Sequence, residues 1–219
     1  RPPQWDDRTT KGNGDYRIDS GGVFELEYGT DTSLPFSSSL AVSAMREQLG
    51  DVTYSAKGGI TYKPSDRLSF DLDFIYRDTN NWLIHLDGSL LGAYNAKHWQ
   101  PSIAAELFIT SKQQLRFSMQ WVGINADAQS LYSAAAEDDL VQVTNGISSA
   151  DFDFTISRLT AQIRYRWELA PLSDLFVVYT IGSNLPNRQD DGFGNLFRDS
   201  LTDRAVDRLV IKFRYRLNY

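Results

Sequence analysis

Residues 208–219 read Arg-Leu-Val-Ile-Lys-Phe-Arg-Tyr-Arg-Leu-Asn-Tyr. Leu209, Ile211, Phe213, Tyr215, Leu217 and Tyr219 occupy one parity, and Arg208, Val210, Lys212, Arg214, Arg216 and Asn218 the other. Successive side chains of a strand point to opposite faces, so this stretch has an apolar, aromatic face and a cationic one. A terminal strand of a soluble sandwich could bury the first face and wet the second. The aromatic finish and the recurrence of the pattern up the chain point instead to the closing strand of an outer-membrane β-barrel. Its apolar face would meet lipid and its charged face a wet lumen.

Working back from this strand, period-2 segments recur near the roughly 9–11 residues of a tilted spanning strand. Leu159, Ala161, Ile163, Tyr165, Trp167 and Leu169 alternate with Thr160, Gln162, Arg164, Arg166 and Glu168. Leu115, Phe117, Met119 and Trp121 alternate with Gln114, Arg116, Ser118 and Gln120. Leu68, Phe70, Leu72, Phe74 and Tyr76 alternate with Ser69, Asp71, Asp73 and Arg77. The same alternation marks 22–29, 36–47, 53–63 and 99–110, while 174–181 is more uniformly apolar. Phe152, Phe154 and Ile156 fall out of phase with Leu159, which predicts a bulge near Ser157 and Arg158. Helical spacing is nowhere sustained, so the expected class is all-β.

The connections sort by length. Thr30–Pro35, Pro64–Asp66, Ser111-Lys112 and Pro171–Ser173 are short, whereas 80–98, 127–151 and 183–205 are long and polar. From Pro64 onward the two kinds alternate, as periplasmic turns and extracellular loops do. Residues 1–16 carry Pro-Pro, Asp-Asp and Gly-Asn-Gly and are expected to form an extracellular loop or linker before barrel strands over 17–219. With Tyr219 placed in the periplasm, about nine strands result and the first descends from outside. Bacterial single-chain barrels have an even strand number. The expectation is therefore an antiparallel transmembrane β-barrel of which this chain is the C-terminal portion.

Bulk composition excludes some classes. Lys and Arg number 22 against 28 Asp and Glu, a net charge of −6 that argues against nucleic acid as a partner. There is no cysteine, which removes disulfide and thiolate-metal schemes. No apolar run approaches the roughly 18 residues of a membrane helix.

The stretch 151–184, DFDFTISRLTAQIRYRWELAPLSDLFVVYTIGSN, carries a further signal. Its Asp151-Phe152-Asp153-Phe154, its Arg164-Tyr165-Arg166-Trp167-Glu168 and its Ser173–Tyr179 strand resemble the C-terminal barrel region of a domain-of-unknown-function family. Members of that family often carry an N-terminal domain like the family-9 carbohydrate-binding modules ahead of an outer-membrane barrel. The family turn Arg-Trp-Glu-Tyr-Arg-Pro-Gly-Ser is matched by Arg166-Trp167-Glu168-Leu169-Ala170-Pro171-Leu172-Ser173, without the glycine. The resemblance implies a barrel and almost nothing of function, since the family has no established activity; saccharides enter only where its usual binding domain precedes the barrel, and no catalytic residues are carried over.

The candidate residues follow from strand parity. Glu25, Glu27, Asp71, Asp73, Glu106, Arg116, Arg164, Arg166, Glu168, Lys212, Arg214 and Arg216 are expected to line the lumen. Acidic members fall early in the chain and basic ones late. Around a barrel that sets a cationic wall against an anionic one, or else the opposed charges pair across a filled lumen. Tyr62, Tyr76, Trp121, Tyr165, Trp167 and Tyr219 are expected at the membrane interfaces. The motif His85-Leu86-Asp87-Gly88-Ser89 mimics a rim hydrolase, but general-base work needs a nucleophile and an orienting carboxylate in place. A solvated loop is the plainer reading. Glu137-Asp138-Asp139 with Asp127 lacks the spacing of a calcium loop, and no metal or cofactor is expected. The resulting expectation is a non-enzymatic outer-membrane channel or surface-uptake component. The alternative is a structural barrel docking a lipoprotein or second outer-membrane protein. The partners expected are outer-membrane lipid and lipopolysaccharide, and the barrel-assembly machinery through 208–219.

Overall fold

The computed structural model describes residues 2–136, 139–144, 146–186 and 192–216. Its elements in chain order are β1 (Gln4–Asp6), β2 (Tyr16–Ile18), β3 (Val23–Gly29), β4 (Phe36–Arg46), β5 (Val52–Ser65), β6 (Leu68–Asp87), β7 (Leu90–Thr110), β8 (Gln113–Ala136) and β9 (Asp139–Gln142). A 3-10 turn (Ser149–Phe152), β10 (Phe154–Ala170), β11 (Ser173–Pro186), α1 (Phe193–Thr202) and β12 (Val206–Arg214) complete them. The expected all-β, antiparallel class holds.

One sheet dominates, in the order β12-β11-β10-β8-β7-β6-β5-β4-β3, with β9 folding back onto β8. Each neighbour on that path is antiparallel, and each of the nine period-2 segments corresponds to one of its strands. The sheet is open, with β3 and β12 at its two ends. Short connections lie at one end of the sheet. There the Asp31 carboxylate accepts the Ser33 N–H at 2.8 Å, and this bond, with the Ser33 hydroxyl, holds Asp31 below the usual carboxylate range. At the β10–β11 turn Leu172 has φ of 62°, the left-handed region that favours glycine.

The opposite end departs from expectation in several respects. The anticipated loop 80–98 is mostly strand: β6 and β7 run on, with β8 alongside, to a tight turn at Gly88-Ser89. The ladder survives there because β6 shifts register between Thr79 and Trp82, where Asn81 takes φ of 50°. Within 127–151, β8 continues to Ala136 and receives β9. The expected 1–16 loop includes β1, paired to β2 through Gln4↔Ile18 and Asp6↔Tyr16. Gly14 in this hairpin approaches Ala134 so closely that a Cβ would sit 2.4 Å from the Ala134 carbonyl oxygen.

These extensions carry their own cores. Tyr16 and Ile18 of β2 close over Leu83, Leu91, Ala93 and Ala134. A second cluster joins Tyr94, Ala96, Ala126 and Ala128 to Trp82, Ile124, Phe152 and Phe154. It is tied down where the Tyr94 hydroxyl donates to the Phe152 carbonyl at 3.1 Å and the Ala128 N–H to Asp153 at 2.6 Å. This cluster explains the phase change before Leu159. No bulge occurs there, since β10 pairs with β8 without a break from Phe154↔Ala126 to Trp167↔Gln113. Phe154 and Ile156 stay on the Thr160 side, which turns apolar at this end because the second cluster covers it.

The remaining departure is α1, a helix inside the expected loop 183–205. Phe193, Leu196, Phe197 and Leu201 recur at helical spacing and pack on Trp121, Leu159, Met119 and Ile181. Underneath, the Ser157 hydroxyl accepts the Trp121 Nε1–H at 2.9 Å and donates to the Leu196 carbonyl at 3.0 Å, which leaves Ser200 to donate to it at 2.6 Å. Gly123 makes room, for a Cβ there would stand 3.0 Å from Phe193 and closer still to the Trp121 ring.

Two stability measurements check these details. Leu172→Gly should raise resistance to urea by about 0.5–1 kcal/mol, because relief of left-handed strain exceeds the extra entropy of an unfolded glycine. Ser157→Ala should cost about 1–3 kcal/mol, since it strands the buried Trp121 N–H, with a shift in tryptophan emission as α1 loosens.

Candidate functional site: the charged face of the sheet

The pairing register decides which side chains share a face. Residues directly opposite in an antiparallel ladder point the same way, so rows of partners can be followed across the sheet. One such row runs Ser39, Gly59, Asp73, Ser102, Gln120, Thr160, Gly182. The next runs Ser37, Thr61, Asp71, Ala104, Ser118, Gln162, Thr180, Arg208. The middle of this face is thus lined by small hydroxyl and amide side chains with single carboxylates among them. A groove of about 350 Å³ lies over Gly59 between Glu27, Lys57, Asp73 and Ser102. Gly59 keeps it open, because a Cβ would stand 2.8 Å from both Asp73 and Ser39 oxygens.

The sheet brings the sequence-derived charged set together on this face. Glu25, Glu27, Asp71, Asp73 and Glu106 fall on β3, β6 and β7, and Arg116, Arg164, Arg166, Glu168, Lys212 and Arg214 on β8, β10 and β12. Arg216 follows β12, where its N–H donates to the Ser173 hydroxyl at 3.1 Å. Local bonds hold the acidic members. Thr61 donates to Asp71 at 2.7 Å, Lys57 lies 3.5 Å from Glu25, and the Gln114 amide donates to Glu106. Among the described residues, no ion pair joins the early acidic set to the late basic one. The two sets meet at the β7–β8 ladder, where Glu106 is the register partner of Arg116 but is engaged by Gln114.

Sequence reasoning missed Asp174. It lies on β11 between β10 and β12, is 1% exposed, and is flanked by Arg166 at 3.0 Å and by Arg214. The segment looked uniformly apolar, but parity places Asp174 opposite both Glu168 and Arg214, so a search for a carboxylate between two basic strands would have found it. Asp174 fixes β12 to the rest of the sheet by charge-assisted bonds.

The other face is mostly apolar in the band below the extensions, with Ser38 and Asp207 at the ends of one row and α1 packed over Met119 and Ile181. Rows such as Leu72, Ile103, Met119, Ala161, Ile181 and Phe70, Ala105, Phe117, Ile163, Tyr179, Leu209 cross it. Leu26, Phe24, Ile211 and Phe213 on the end strands are more than half exposed. Of the expected interface aromatics, Tyr62, Tyr165 and Trp167 lie on this face toward the short turns, and Tyr76 lies toward the other end, edge-on to Trp99 at 5.7 Å. Trp121 shares the face but is only 3% exposed; α1 covers it, so it is a packing residue and not an interfacial one. Tyr219 lies outside the described residues.

The rim motif does not assemble a nucleophile and base. His85 Nε2 bonds the Gly88 carbonyl at 2.9 Å, while the Ser89 hydroxyl pairs with Ser133 at 3.2 Å. Both are parts of the β6–β7 turn. Among the described residues no three His, Asp or Glu side chains converge on a common point; Glu137 and Asp138 lie outside them.

An open antiparallel meander with one apolar face and one graded, charged face defines the class of this protein. The chain belongs to the family described as Domain of unknown function (DUF5916), whose match spans residues 10–219. No curated protein and no solved structure matches it.

Replacing Asp174 by Asn keeps the shape but leaves Arg166 and Arg214 facing each other without a counter-charge. The expected outcome is a lower unfolding temperature, measured in detergent, with part of the loss restored by added salt as the two cations are screened.

Proposed function

We propose that the chain forms part of the wall of a bacterial outer-membrane β-barrel, a non-enzymatic channel or surface-uptake component. The apolar face meets lipid and lipopolysaccharide, and the charged face lines a wet passage. Further strands pair with β3 and β12 to complete the wall. The single observation that carries this reading is the apolar band to which each of nine consecutive strands contributes. On β6 it extends from Leu68 to Tyr76, about the nine residues that a tilted spanning strand needs. A patch of that extent marks contact with membrane or protein rather than water. The small side chains in the middle of the opposite face leave room for solute, and the family resemblance makes saccharides a candidate cargo. Insertion through the assembly machinery would use the final strand, 208–219.

A second reading is a structural barrel with a blocked lumen that docks a partner protein. The apolar cluster of Trp82, Tyr94, Ile124 and Phe154 favours it, because it lies at the end of the charged face away from the short turns. Conductance in planar bilayers separates a passage from a blocked barrel.

The lipid-facing assignment has a direct test. Ile163→Arg should abolish recovery of the folded protein from bilayers, an Arg at mid-band on a lipid face costing about 2–4 kcal/mol. Ser118→Arg, on the other face, should be tolerated. Equal loss from both substitutions would exclude the lipid-facing assignment.

A further inference from the structure

The charged face is not uniform, and its basic part has an unusual arrangement. Arg116 and Arg164 are direct register partners on β8 and β10; Glu106 opposes Arg116 from β7 but accepts from the Gln114 amide and makes no ion pair with the arginine. Like charges directly opposite destabilise a sheet. Arg166 and Lys212 both oppose Phe176 in the adjoining row, with the Arg166 guanidinium 6.0 Å from the centre of the ring. Arg208 follows one row beyond Arg164, opposite Thr180. The one buried carboxylate of the neighbourhood, Asp174, is already engaged by Arg166 and Arg214. Arg164 donates to the uncharged Gln162 at 3.1 Å. Among the described residues, no carboxylate stands within ion-pair distance of Arg116, Arg164, Arg208 or Lys212, and all four are exposed. With strands about 4.8 Å apart, the four cations cover a patch roughly 15 Å across.

We propose that Arg116, Arg164, Arg208 and Lys212 form a binding wall for oligoanions, solutes carrying two or more phosphate, sulfate or carboxylate groups. The proposal rests on the reading of this face as a solute-facing surface and names the solute class. Arg forks match the planar geometry of such groups bidentately, and basic rows of this kind select anions in pores. A single small anion can neutralise one guanidinium. An oligoanion bridges Arg116 to Arg164 and reaches Lys212 or Arg208, relieving the repulsion that the register imposes. Binding is therefore coupled to stability, and a ligand that favours the folded sheet raises its unfolding temperature. The carboxylates of β3 and β6 lie farther along the same face, and Glu106 of β7 bounds the patch beside Arg116, so the solute is held toward β10 and β12 and repelled from the acidic side.

The test uses the full chain in detergent with inorganic tripolyphosphate as the probe and acetate as the single-charge control. Binding is measured by titration calorimetry and by the shift in unfolding temperature. Tripolyphosphate should bind and raise the unfolding temperature, and acetate at equal ionic strength should not. Arg208→Gln with Lys212→Gln should weaken tripolyphosphate binding about 10-fold, and all four Gln substitutions together should abolish it. Glu25→Gln with Glu27→Gln should leave binding intact. Because the quadruple variant could fail to fold, the β12 pair, checked by circular dichroism, carries the decision. Absence of tripolyphosphate binding, or unchanged binding in the folded β12 pair, overturns the proposal. Loss of binding in that pair without any bilayer conductance keeps the anion wall and removes the channel. Conductance without tripolyphosphate binding does the reverse.

Discussion

The constraint on which this molecule depends is register. A strand alternates its faces every residue, so a one-residue slip anywhere would move an apolar row into the charged face and a charged row out of it. Across the band the ladders keep phase from β3 to β12, and the shifts fall at its margins, near Ser65, Thr79, Tyr94, Thr110 and Ala170. Bulges at margins let the strands continue into turns and extensions without disturbing the rows between. Both faces inherit their chemistry from that uninterrupted phase.

Beyond the band the logic changes. The extensions of β6, β7 and β8 have apolar side chains on both sides, and each side acquires a cover: β2 with Tyr16 and Ile18 on one, and the turn carrying Phe152 on the other. These are ordinary small cores, closed by a few hydrogen bonds such as the one from the Tyr94 hydroxyl to Phe152. The molecule therefore joins a two-faced sheet to a conventionally packed cap. The boundary runs near the level of Arg77, His98 and Trp99, where a charged or aromatic residue meets the first buried alanines.

This division also explains what could be read from sequence. Period-2 alternation is strong where one face is apolar and the other polar, so the nine strands, the side on which Glu25 and Arg164 lie, and the sorting of the connections were all legible. The signal fades where both faces are buried. Residues 80–98 look like a polar loop because Asn80, Asn81, Asp87 and Gly88 interrupt a segment whose remaining side chains pack on two sides. Phe154 and Ile156 look out of phase because the covering of the faces switches there, not the strand. Helix α1 is ten residues long, too short for its spacing to stand out amid Gly194, Asp199 and Ser200. Asp174 was hidden in a run of apolar neighbours, and only the pairing of three strands shows why a carboxylate belongs there.

Helix α1 has an effect on the connection that contains it. The chain leaves β11 at Pro186 and re-enters the sheet at Val206, yet in between it is pinned to β8 and β10 through Phe193, Leu196 and Ser200. A long connection pinned at its middle behaves as two short ones, and the entropy of closing it falls mainly on segments of a few residues each. The last strand is thus delivered to the sheet edge by a surface spread over β8, β10 and β11. Substitutions beneath the helix will therefore be felt at β12 without touching it.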